Sequence, residues 1–248
     1  MTAPFTKTGP ASALDMFEAE AEGLAEIAAT KTIRVPRVLD CGIRDGQAYI
    51  ELERLDLAHA GKHVEQKLGE QLAAMHRCTA DQYGWHRDNT IGMTPQVNTR
   101  SDDWVEFFRE RRLLFQLKLA ERNGFTGELQ TLGMQLAESL DTLFDRYEPE
   151  ASLLHGDLWG GNWGAVDGEP VIFDPAVYYG DRETDIAMTQ VFGGFGRSFY
   201  DAYQSAWPMH EGFERRNWLY QLYHILNHLN LFGSGYLGRS LELLRKLA

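Results

Sequence analysis

Two carboxylates and one amide lie within a short, loop-rich stretch of this sequence. The segment LLHGDLWGGNWG (153–164) places Asp157 just after an apolar run and Asn162 five residues later. Asp174 ends the next apolar run, Val-Ile-Phe. Carboxylate and amide oxygens are the ligands that Mg²⁺ prefers. The spacing therefore predicts an oxygen-only metal site at Asn162 and Asp174, with Asp157 close enough to orient and deprotonate a hydroxyl.

This combination of groups is typical of phosphoryl transfer, in which the protein aligns the nucleophile and neutralises charge on the phosphates. Protein kinases use H-R-D-x-x-x-x-N followed by D-F-G. Here His155-Gly156-Asp157 precedes Asn162 with the same Asp-to-Asn spacing, and Asp174-Pro175 follows an apolar run. Taken singly, each of these Asp and Asn residues is better explained as a turn former. Taken together, they favour a kinase-like catalytic loop held by His155, whose predicted role is structural.

The flanking sequence predicts the elements that position this loop. Two short strands at 152–154 and 171–173 are expected to pair and so to bring Asp174 close to the loop. Upstream, a helix over 14–29 carries Phe17, Leu24 and Ile27 on one stripe. The remaining predicted elements are a β-hairpin turning at Asp45-Gly46, helices at 62–79, 103–123 and 127–146, and helices from 184 to the end with breaks near 193–194 and Pro208.

The order of these elements indicates an α+β fold. A small piece with strands, a helix and a hairpin comes first, and a mostly helical piece with one strand–loop–strand insert follows. Residues 1–12 read as irregular or as the end of a strand.

Composition excludes several classes of protein. The chain has 248 residues and a formal net charge of -12, which disfavours nucleic acid and anionic membranes as general partners. Cys41 and Cys78 show neither a metal-ligand spacing nor a disulfide framework. Met1 to Pro10 carry no apolar run and no apolar stretch is long enough to span a membrane, so we expect no signal peptide and a cytoplasmic protein.

Several strings resemble the fructosamine kinase (ketosamine-3-kinase) family. They are HGDLWGGNWG, FDPAVYYGDRETDIAM, MFEAEAEGLAEIA at 16–28, YGW…DNTIG…PQ.N at 83–98 and LYHILNHLNLFG, and they follow in order through nearly the whole chain. The resemblance implies a two-lobed, protein-kinase-like fold that binds ATP and Mg²⁺ between its lobes. It also implies phosphorylation of the 3-hydroxyl of ketosamines, either small molecules or glycated proteins, which amounts to deglycation.

The same resemblance assigns roles to individual residues. It implies that Asp157 is the catalytic base, that Asn162 and Asp174 bind Mg²⁺, and that Asp185 braces the catalytic loop. The residues implied on the ATP side are Lys7, its helical ion-pair partner Glu20 (with Glu18 and Glu22 as competitors), and the hinge residues Glu53 and Leu55.

The N-terminal lobe is expected to be reduced. Only six residues precede Lys7, and no glycine-rich turn is among them, whereas the family carries a glycine-rich loop ahead of this lysine. We expect a partial N-terminal lobe at 1–55 and a helical C-terminal lobe at 56–248.

The acceptor side is predicted from aromatic and polar side chains. Trp159 lies inside the catalytic loop, and an aromatic face suits the C–H face of a sugar. Further candidates for acceptor binding are Trp85, Gln96, Asn98, His224 and His228. The two histidines are spaced i, i+4, which can also bind zinc, but a polar helix face lining the cleft is preferred over packing or metal.

Two other functions compete with the ketosamine kinase hypothesis. One is another small-molecule kinase that acts on an aminoglycoside, choline or a simple sugar. The other is a pseudokinase-like binding module that keeps the cleft without turnover.

Overall fold

The N-terminal part is a three-stranded antiparallel sheet with one helix packed against it. The computed structural model describes residues 3–58 and 60–248. Strands β1 (Phe5–Pro10), β2 (Val38–Arg44) and β3 (Gln47–Leu52) lie in the order β1-β3-β2, and α1 (Leu14–Thr30) packs on the sheet. The predicted apolar stripe of α1 is confirmed, since Phe17, Leu24 and Ile27 are all buried.

The hairpin between β2 and β3 turns where the sequence predicted. Asp45 and Gly46 both have positive φ, 53° and 75°, as a two-residue hairpin turn with the twist of the strands requires. The N-terminal residues were predicted to be irregular or the end of a strand. Instead, β1 is a full strand that pairs with β3 and places Lys7 opposite Ile50. Residues directly opposite in an antiparallel pair share a face. Lys7 therefore points to the same side as the buried Ile50, towards α1.

The C-terminal part is mainly helical. Its helices are α2 (Lys62–His76), α3 (Trp104–Phe108), α4 (Leu114–Arg122), α5 (Glu128–Glu138), α6 (Glu183–Val191), α7 (Arg197–Ala206), α8 (Phe213–Phe232) and α9 (Leu237–Leu247). The breaks predicted near 193–194 and Pro208 are confirmed. The predicted helix at 103–123 is present but contains one wider π turn at 109–113.

Two predicted helices end early. The helix at 62–79 stops at His76 because the chain at Cys78 and Thr79 joins β-structure: the Cys78 carbonyl accepts from Leu153 N, and Thr79 forms a bridge with Ser152. The helix at 127–146 stops at Glu138 and is followed by one 3₁₀ turn, Leu140–Leu143.

The strands around the catalytic loop pair differently from the prediction. β6 (Ser152–Leu154) pairs with β9 (Tyr178–Gly180), and β7 (Trp163–Val166) pairs with β8 (Glu169–Ile172). The expected pairing of 152–154 with 171–173 is therefore wrong. The reason is that the chain turns back after Asp174, and β9 becomes the antiparallel neighbour of β6. The short pair β4 (Asn89–Ile91) and β5 (Thr94–Gln96) was not predicted either.

The helices and the cysteines bear on two expectations from composition. Within residues 3–58 and 60–248, none of the helices combines the length and apolarity needed to cross a membrane. Cys41 and Cys78 are both free thiols.

Candidate active site

The loop that carries Asp157 is held in place by hydrogen bonds to a buried carboxylate. Asp185, near the start of α6, accepts hydrogen bonds from the backbone N–H groups of His155 and Gly156 at 2.7 and 2.8 Å. His76 on α2 lies 3.1 Å from the same carboxylate. Burial alone would raise the pKa of Asp185, but the hydrogen bond and charge interaction with His76 and the backbone donors lower it. The loop therefore rests on a fixed negative charge, in the position predicted for Asp185.

His155 ties the loop to the chain on its other side. Its ring is fully buried; Nε2 lies 3.0 Å from the carbonyl of Phe173, and Nδ1 accepts from the N–H of Asp157 at 3.2 Å. Burial lowers the pKa of His155, so the neutral ring is favoured. These contacts fit the predicted structural role, and they orient both Asp157 and the residue before Asp174.

Asn162 and Asp174 are joined through the backbone. The Asn162 amide nitrogen donates to the Asp157 carbonyl at 2.9 Å, and Phe173 N donates to the Asn162 carbonyl at 3.0 Å. Because the amide nitrogen is used in this way, its oxygen is left for a ligand. Asp174 has a left-handed backbone, with φ of 58°. Such a conformation is uncommon for a residue with a side chain and concentrates at functional sites.

Lys7 connects the sheet to the loop after β8. Its ammonium lies 2.7 Å from Glu20 Oε1 on α1 and 2.7 Å from Asp174 Oδ1. Of the three glutamates considered on α1, Glu20 is thus the one that contacts Lys7, whereas Glu22 binds His86 and Arg87. Burial would lower the pKa of Lys7, but the charges of Glu20 and Asp174 raise it, so the side chain stays cationic.

The surroundings of Asp157 shift the pKa of its carboxyl group towards neutrality. Burial, followed by the negative charges of Asp185 and Asp174, raises the pKa of Asp157 to about 7. A base is most effective when its pKa lies near the working pH. The carboxylate can therefore accept a proton from an alcohol at neutral pH.

These side chains line one cleft. A cavity of about 320 Å³ is bounded by Lys7 and Glu20 on one side and by Asp157, Asn162 and Asp174 on the other. The remaining lining residues are Met16, Phe17, Ala19, Asn89, Thr90, Gly92, Met93, Trp159, Pro175 and Ala176. Trp159, which is 40% exposed, stands at the wall of this cleft, where an acceptor could contact its face.

A second, more apolar cavity adjoins the first at Asp174. It also measures about 320 Å³ and is lined by Phe5, Pro36, Leu52, Glu53, Arg54, Leu55, Leu57, Phe173 and Asp174. Both predicted hinge residues, Glu53 and Leu55, lie here. The Glu53 N–H already donates to the Arg37 carbonyl at 2.8 Å, so only its carbonyl is left to meet a base.

The donor set fits a magnesium nucleotide. Asn162 offers an amide oxygen, and Asp174 offers the carboxylate oxygen that Lys7 does not bind. Hard oxygen donors from one or two side chains, completed by phosphates and water, are the usual protein ligands of Mg²⁺. Among the described residues, His, Cys, Asp and Glu form no group of three that could hold a metal by themselves. Lys7 would face the phosphates, and the second, more apolar cavity would face the base.

Three predicted acceptor residues are not brought to the cleft. Trp85 is buried and packs on His86, with ring centroids 4.4 Å apart. Gln96 and Asn98 are buried and hydrogen-bonded to Asn89. This corrects the expectation that Gln96 and Asn98 contact an acceptor: their polar atoms are used inside the protein, where they hold a residue of the cleft wall.

The two histidines of α8 also differ from the expectation. His224 is fully buried and is not among the residues that line the cleft; burial lowers its pKa to about 3, so its ring stays neutral. His228 is only partly buried; its Nδ1 donates to the His224 carbonyl at 2.8 Å, and its ring packs on Phe192, which in turn contacts Trp159. Neither histidine lines the cleft, and His228 is linked to it only through Phe192 and Trp159. Among the described residues, no group of three His, Cys, Asp or Glu side chains that could hold a metal includes this pair.

Sequence reasoning missed several residues that the structure places at the site. His76 supports Asp185, and no motif on α2 marks it. Asn89 and Met93 line the cleft from the β4–β5 hairpin. The string that contains Asn89 was noticed only as part of the family resemblance. Their positions depend on long-range packing, which local sequence patterns do not encode.

The fold is protein-kinase-like and resembles that of the aminoglycoside phosphotransferases. The ADP-bound structure of the aminoglycoside phosphotransferase APH(2'')-Ib superposes with a TM-score of 0.63, covering 99% of this chain and 90% of that one. At 14% identity this likeness concerns the fold alone. The small sheet lobe and the helical lobe correspond to the predicted two-lobed architecture.

Among proteins of this fold, the chain belongs to the fructosamine kinase family and is a kinase, as the resemblance in its sequence predicted. The sequence model of that family matches residues 2–248. A Synechocystis relative assigned as a ketoamine kinase is 46% identical over 98% of this chain and 82% of its own length. Mouse ketosamine-3-kinase is 38% identical, with 96% and 85% covered. A Haemophilus somnus crystal structure, assigned as a fructosamine-3-kinase, matches with a TM-score of 0.91 at 31% identity, covering 98% of this chain and 83% of that one.

Proposed function

We propose that this protein transfers the γ-phosphoryl group of ATP to the 3-hydroxyl of a ketosamine, with Mg²⁺ as the metal. The observation that carries the proposal is the convergence of Lys7, Asp157, Asn162 and Asp174 on one cleft in a fructosamine kinase family member. The names of the Synechocystis and mouse relatives, ketoamine kinase and ketosamine-3-kinase, support this class of acceptor.

Each side chain of the cleft has a distinct part in the proposed reaction. Asp157 accepts the proton of the attacking hydroxyl and fixes its direction, as its pKa of about 7 allows. Lys7, held by Glu20, directs positive charge at the phosphates. Asn162 and Asp174 would hold Mg²⁺, which when bound neutralises charge on the phosphate oxygens. His155 and Asp185 keep the loop in place.

The acceptor enters along the wall that contains Trp159, and the base of the nucleotide enters the apolar cavity near Glu53 and Leu55. These two cavities adjoin at Asp174, so donor and acceptor would meet at the metal-binding carboxylate. Positioning of this kind supplies most of the catalysis in phosphoryl transfer.

A panel of acceptors tests the proposal. Purified protein is incubated with Mg²⁺ and γ-labelled ATP, and with a fructosyl amine, a ribulosyl amine, a glycated protein, an aminoglycoside or choline. We expect label on the two ketosamines, and phosphorus NMR should place it on the 3-oxygen. Transfer only to the aminoglycoside or to choline would replace the proposed acceptor, and a lack of transfer to every acceptor together with a lack of ATP binding would overturn the kinase proposal.

Asp174→Asn provides the control for the metal assignment. This change removes one anionic oxygen donor from a partly exposed side chain, and we expect turnover to fall below detection while the protein still folds. Wild-type turnover in this variant would show that Asp174 is not a metal ligand.

A further inference from the structure

Helix α1 is held from two sides. Glu20 and Glu22 are two residues apart, which corresponds to roughly 200° around a helix. Glu20 binds Lys7 of the sheet, whereas Glu22 faces the helical lobe and binds Arg87 and His86. The glutamate that holds the nucleotide-side lysine therefore lies on nearly the opposite face of α1 from the glutamate that is bound by the other lobe.

Arg87 makes the most extensive of these contacts. Its Nη1 lies 2.6 Å from Glu22 Oε1, and its Nη2 binds both the carboxylate and the backbone carbonyl of Asp15. Asp15 and Glu22 are seven residues apart, so they lie on one face, two turns from each other. One guanidinium thus spans two turns of α1. The Arg87 side chain is only 20% exposed, whereas the Glu22 and Asp15 side chains are 44% and 82% exposed. Solvent therefore weakens the individual ion pairs, and it is the bridging of two turns by one guanidinium that holds the helix in place.

Arg87 is itself fixed to the interior of the helical lobe. Its carbonyl accepts from the Asn98 side chain at 3.2 Å, and the same amide donates to Asn89 at 2.8 Å. Arg112, which is fully buried, donates to Asn98 Oδ1 at 2.7 Å. A rigid, buried amide network therefore supports the backbone from which the Arg87 side chain extends.

The same network reaches the loop of Asp174. Asn89 donates to the carbonyl of Val177 at 2.8 Å, and Gln96 donates to the carbonyl of Ala176 at 3.1 Å. The carbonyls of Val177 and Ala176 follow Asp174 by three and two residues, respectively. The contacts therefore link the backbone just after Asp174, through Asn89 and Asn98, to Arg87. Arg87 binds α1 through Glu22 and Asp15, and Glu20 of the same helix binds Lys7, which contacts Asp174.

We propose that Arg87 is a positioning residue for the nucleotide end of the site: through Glu22 and Asp15 it fixes α1 so that Glu20 holds Lys7 within reach of Asp174. This inference rests on the proposed function, because it assigns a consequence for ATP binding. It gives Asn98 and Gln96 a role as supports of Arg87 and of the cleft wall rather than as acceptor ligands.

The matched pair Arg87→Ala and Arg245→Ala tests the inference. Arg245 also joins two elements through a carboxylate, that of Glu128, but it lies on α9 and does not line the cleft. We expect Arg87→Ala to raise both the KM and the dissociation constant for Mg-ATP roughly five- to ten-fold, as loss of a coupled contact would. The acceptor KM should change by less than about two-fold, and Arg245→Ala should leave both constants unchanged.

A merely structural role would give a different result. In that case Arg87→Ala would lower the melting temperature without altering the ATP constants of the folded protein, and the inference would be overturned. Glu22→Gln should reproduce the ATP effect in part, and the double variant should be less impaired than the sum of the two single variants. Strict additivity would show that Arg87 does not act through Glu22.

Mg-ATP binding by the wild-type protein separates this inference from the proposed function. If wild-type protein shows no Mg-ATP binding by calorimetry, the kinase proposal fails. If wild-type protein binds Mg-ATP and Arg87→Ala binds it equally well, only the positioning role fails.

Discussion

At the scale of single residues, the site combines carboxylates that the protein keeps in different protonation states. Asp185 is buried but receives donors from His76 and two backbone N–H groups, so its pKa is lowered. Burial and the acidic neighbours raise the pKa of Asp157 to about 7. One carboxylate is therefore a permanent anion that supports the loop, and the other is able to exchange a proton. Environments that separate the pKa values of neighbouring carboxylates distinguish supporting from reacting groups.

Replacing Asp157 by Asn should separate activity from stability. Loss of the base should lower kcat by about 10²- to 10⁴-fold. The raised pKa means that ionised Asp157 destabilises the fold, and this effect grows as the pH rises from the unfolded value of about 4 to about 7 and is constant above. Asp157→Asn should therefore raise the melting temperature more at about pH 8 than at about pH 4.5. If the gain in melting temperature caused by Asp157→Asn were smaller at about pH 8 than at about pH 4.5, this account would be contradicted.

The pH dependence of catalysis should report the same group. Asp157 must be deprotonated to accept the hydroxyl proton, so kcat/KM should fall about ten-fold per pH unit below its pKa of about 7. The measurement is kcat/KM for the acceptor at saturating Mg-ATP across about pH 5.5 to 8.5. A flat profile below neutrality would mean that no group of this pKa acts as the base.

At the scale of elements, the catalytic loop passes very close to the backbone of the chain that follows Asp174. Gly156, between His155 and Asp157, has φ of 83°, and a Cβ atom there would lie 2.0 Å from the carbonyl oxygen of Ala176. That distance is far shorter than a van der Waals contact. Because the clashing atom belongs to the backbone of Ala176, it cannot move aside as a flexible side chain could. The loop and the chain after Asp174 can approach this closely only because position 156 has no side chain.

Gly156→Ala and Gly168→Ala form a matched pair that isolates this contact. Gly168 has a similar φ of 78°, but a Cβ there meets nothing within 4 Å. Gly168→Ala should lower the free energy of unfolding only by the cost of holding an alanine in a left-handed backbone conformation, about 1–2 kcal/mol. Gly156→Ala should lower the free energy of unfolding by clearly more than Gly168→Ala does. The fraction of this variant that still folds should have little activity. Urea unfolding of both variants gives the comparison, and equal losses would show that the crossing is not constrained.

At the scale of the whole molecule, a buried ion pair joins the helices beneath the site. Arg216 on α8 binds Glu183 at the start of α6 with two bonds of 2.8 and 3.0 Å, and both side chains are almost fully buried. The guanidinium also lies over the Tyr147 ring, 3.9 Å from its centre. Since α6 carries Asp185, this pair fixes the element on which the catalytic loop rests.

Breaking this pair should destabilise the entire fold. Arg216→Met leaves the Glu183 carboxylate buried without its partner, and such losses are typically about 3–5 kcal/mol. Arg239→Met, which breaks an exposed pair with Glu242 on α9, should change stability by less than about 1 kcal/mol. The free energies of unfolding from urea titrations check both values. Equal, small changes would mean that the buried pair adds little to the fold.

Prediction from sequence was most reliable where a local pattern carries the information. The apolar stripe of α1 and the Asp45-Gly46 turn depend on neighbours a few residues apart, and both are confirmed. The pairing of β6 was mispredicted, because strand partners are chosen by contacts far apart in the chain. The early end of α2 has the same cause, since its last residues are taken into a bridge with the segment at Ser152.

The sequence by itself determined the kinase-like loop, the family and the residue types of the cleft, because Asp157, Asn162 and Asp174 lie within one short motif whose spacing is local. Only the tertiary structure decided that Glu20 rather than Glu18 or Glu22 binds Lys7, and that Gln96 and Asn98 are interior supports. Those outcomes depend on how α1 is rotated against the sheet and on which amides the core encloses. Both are set by packing between segments that the sequence separates by tens of residues.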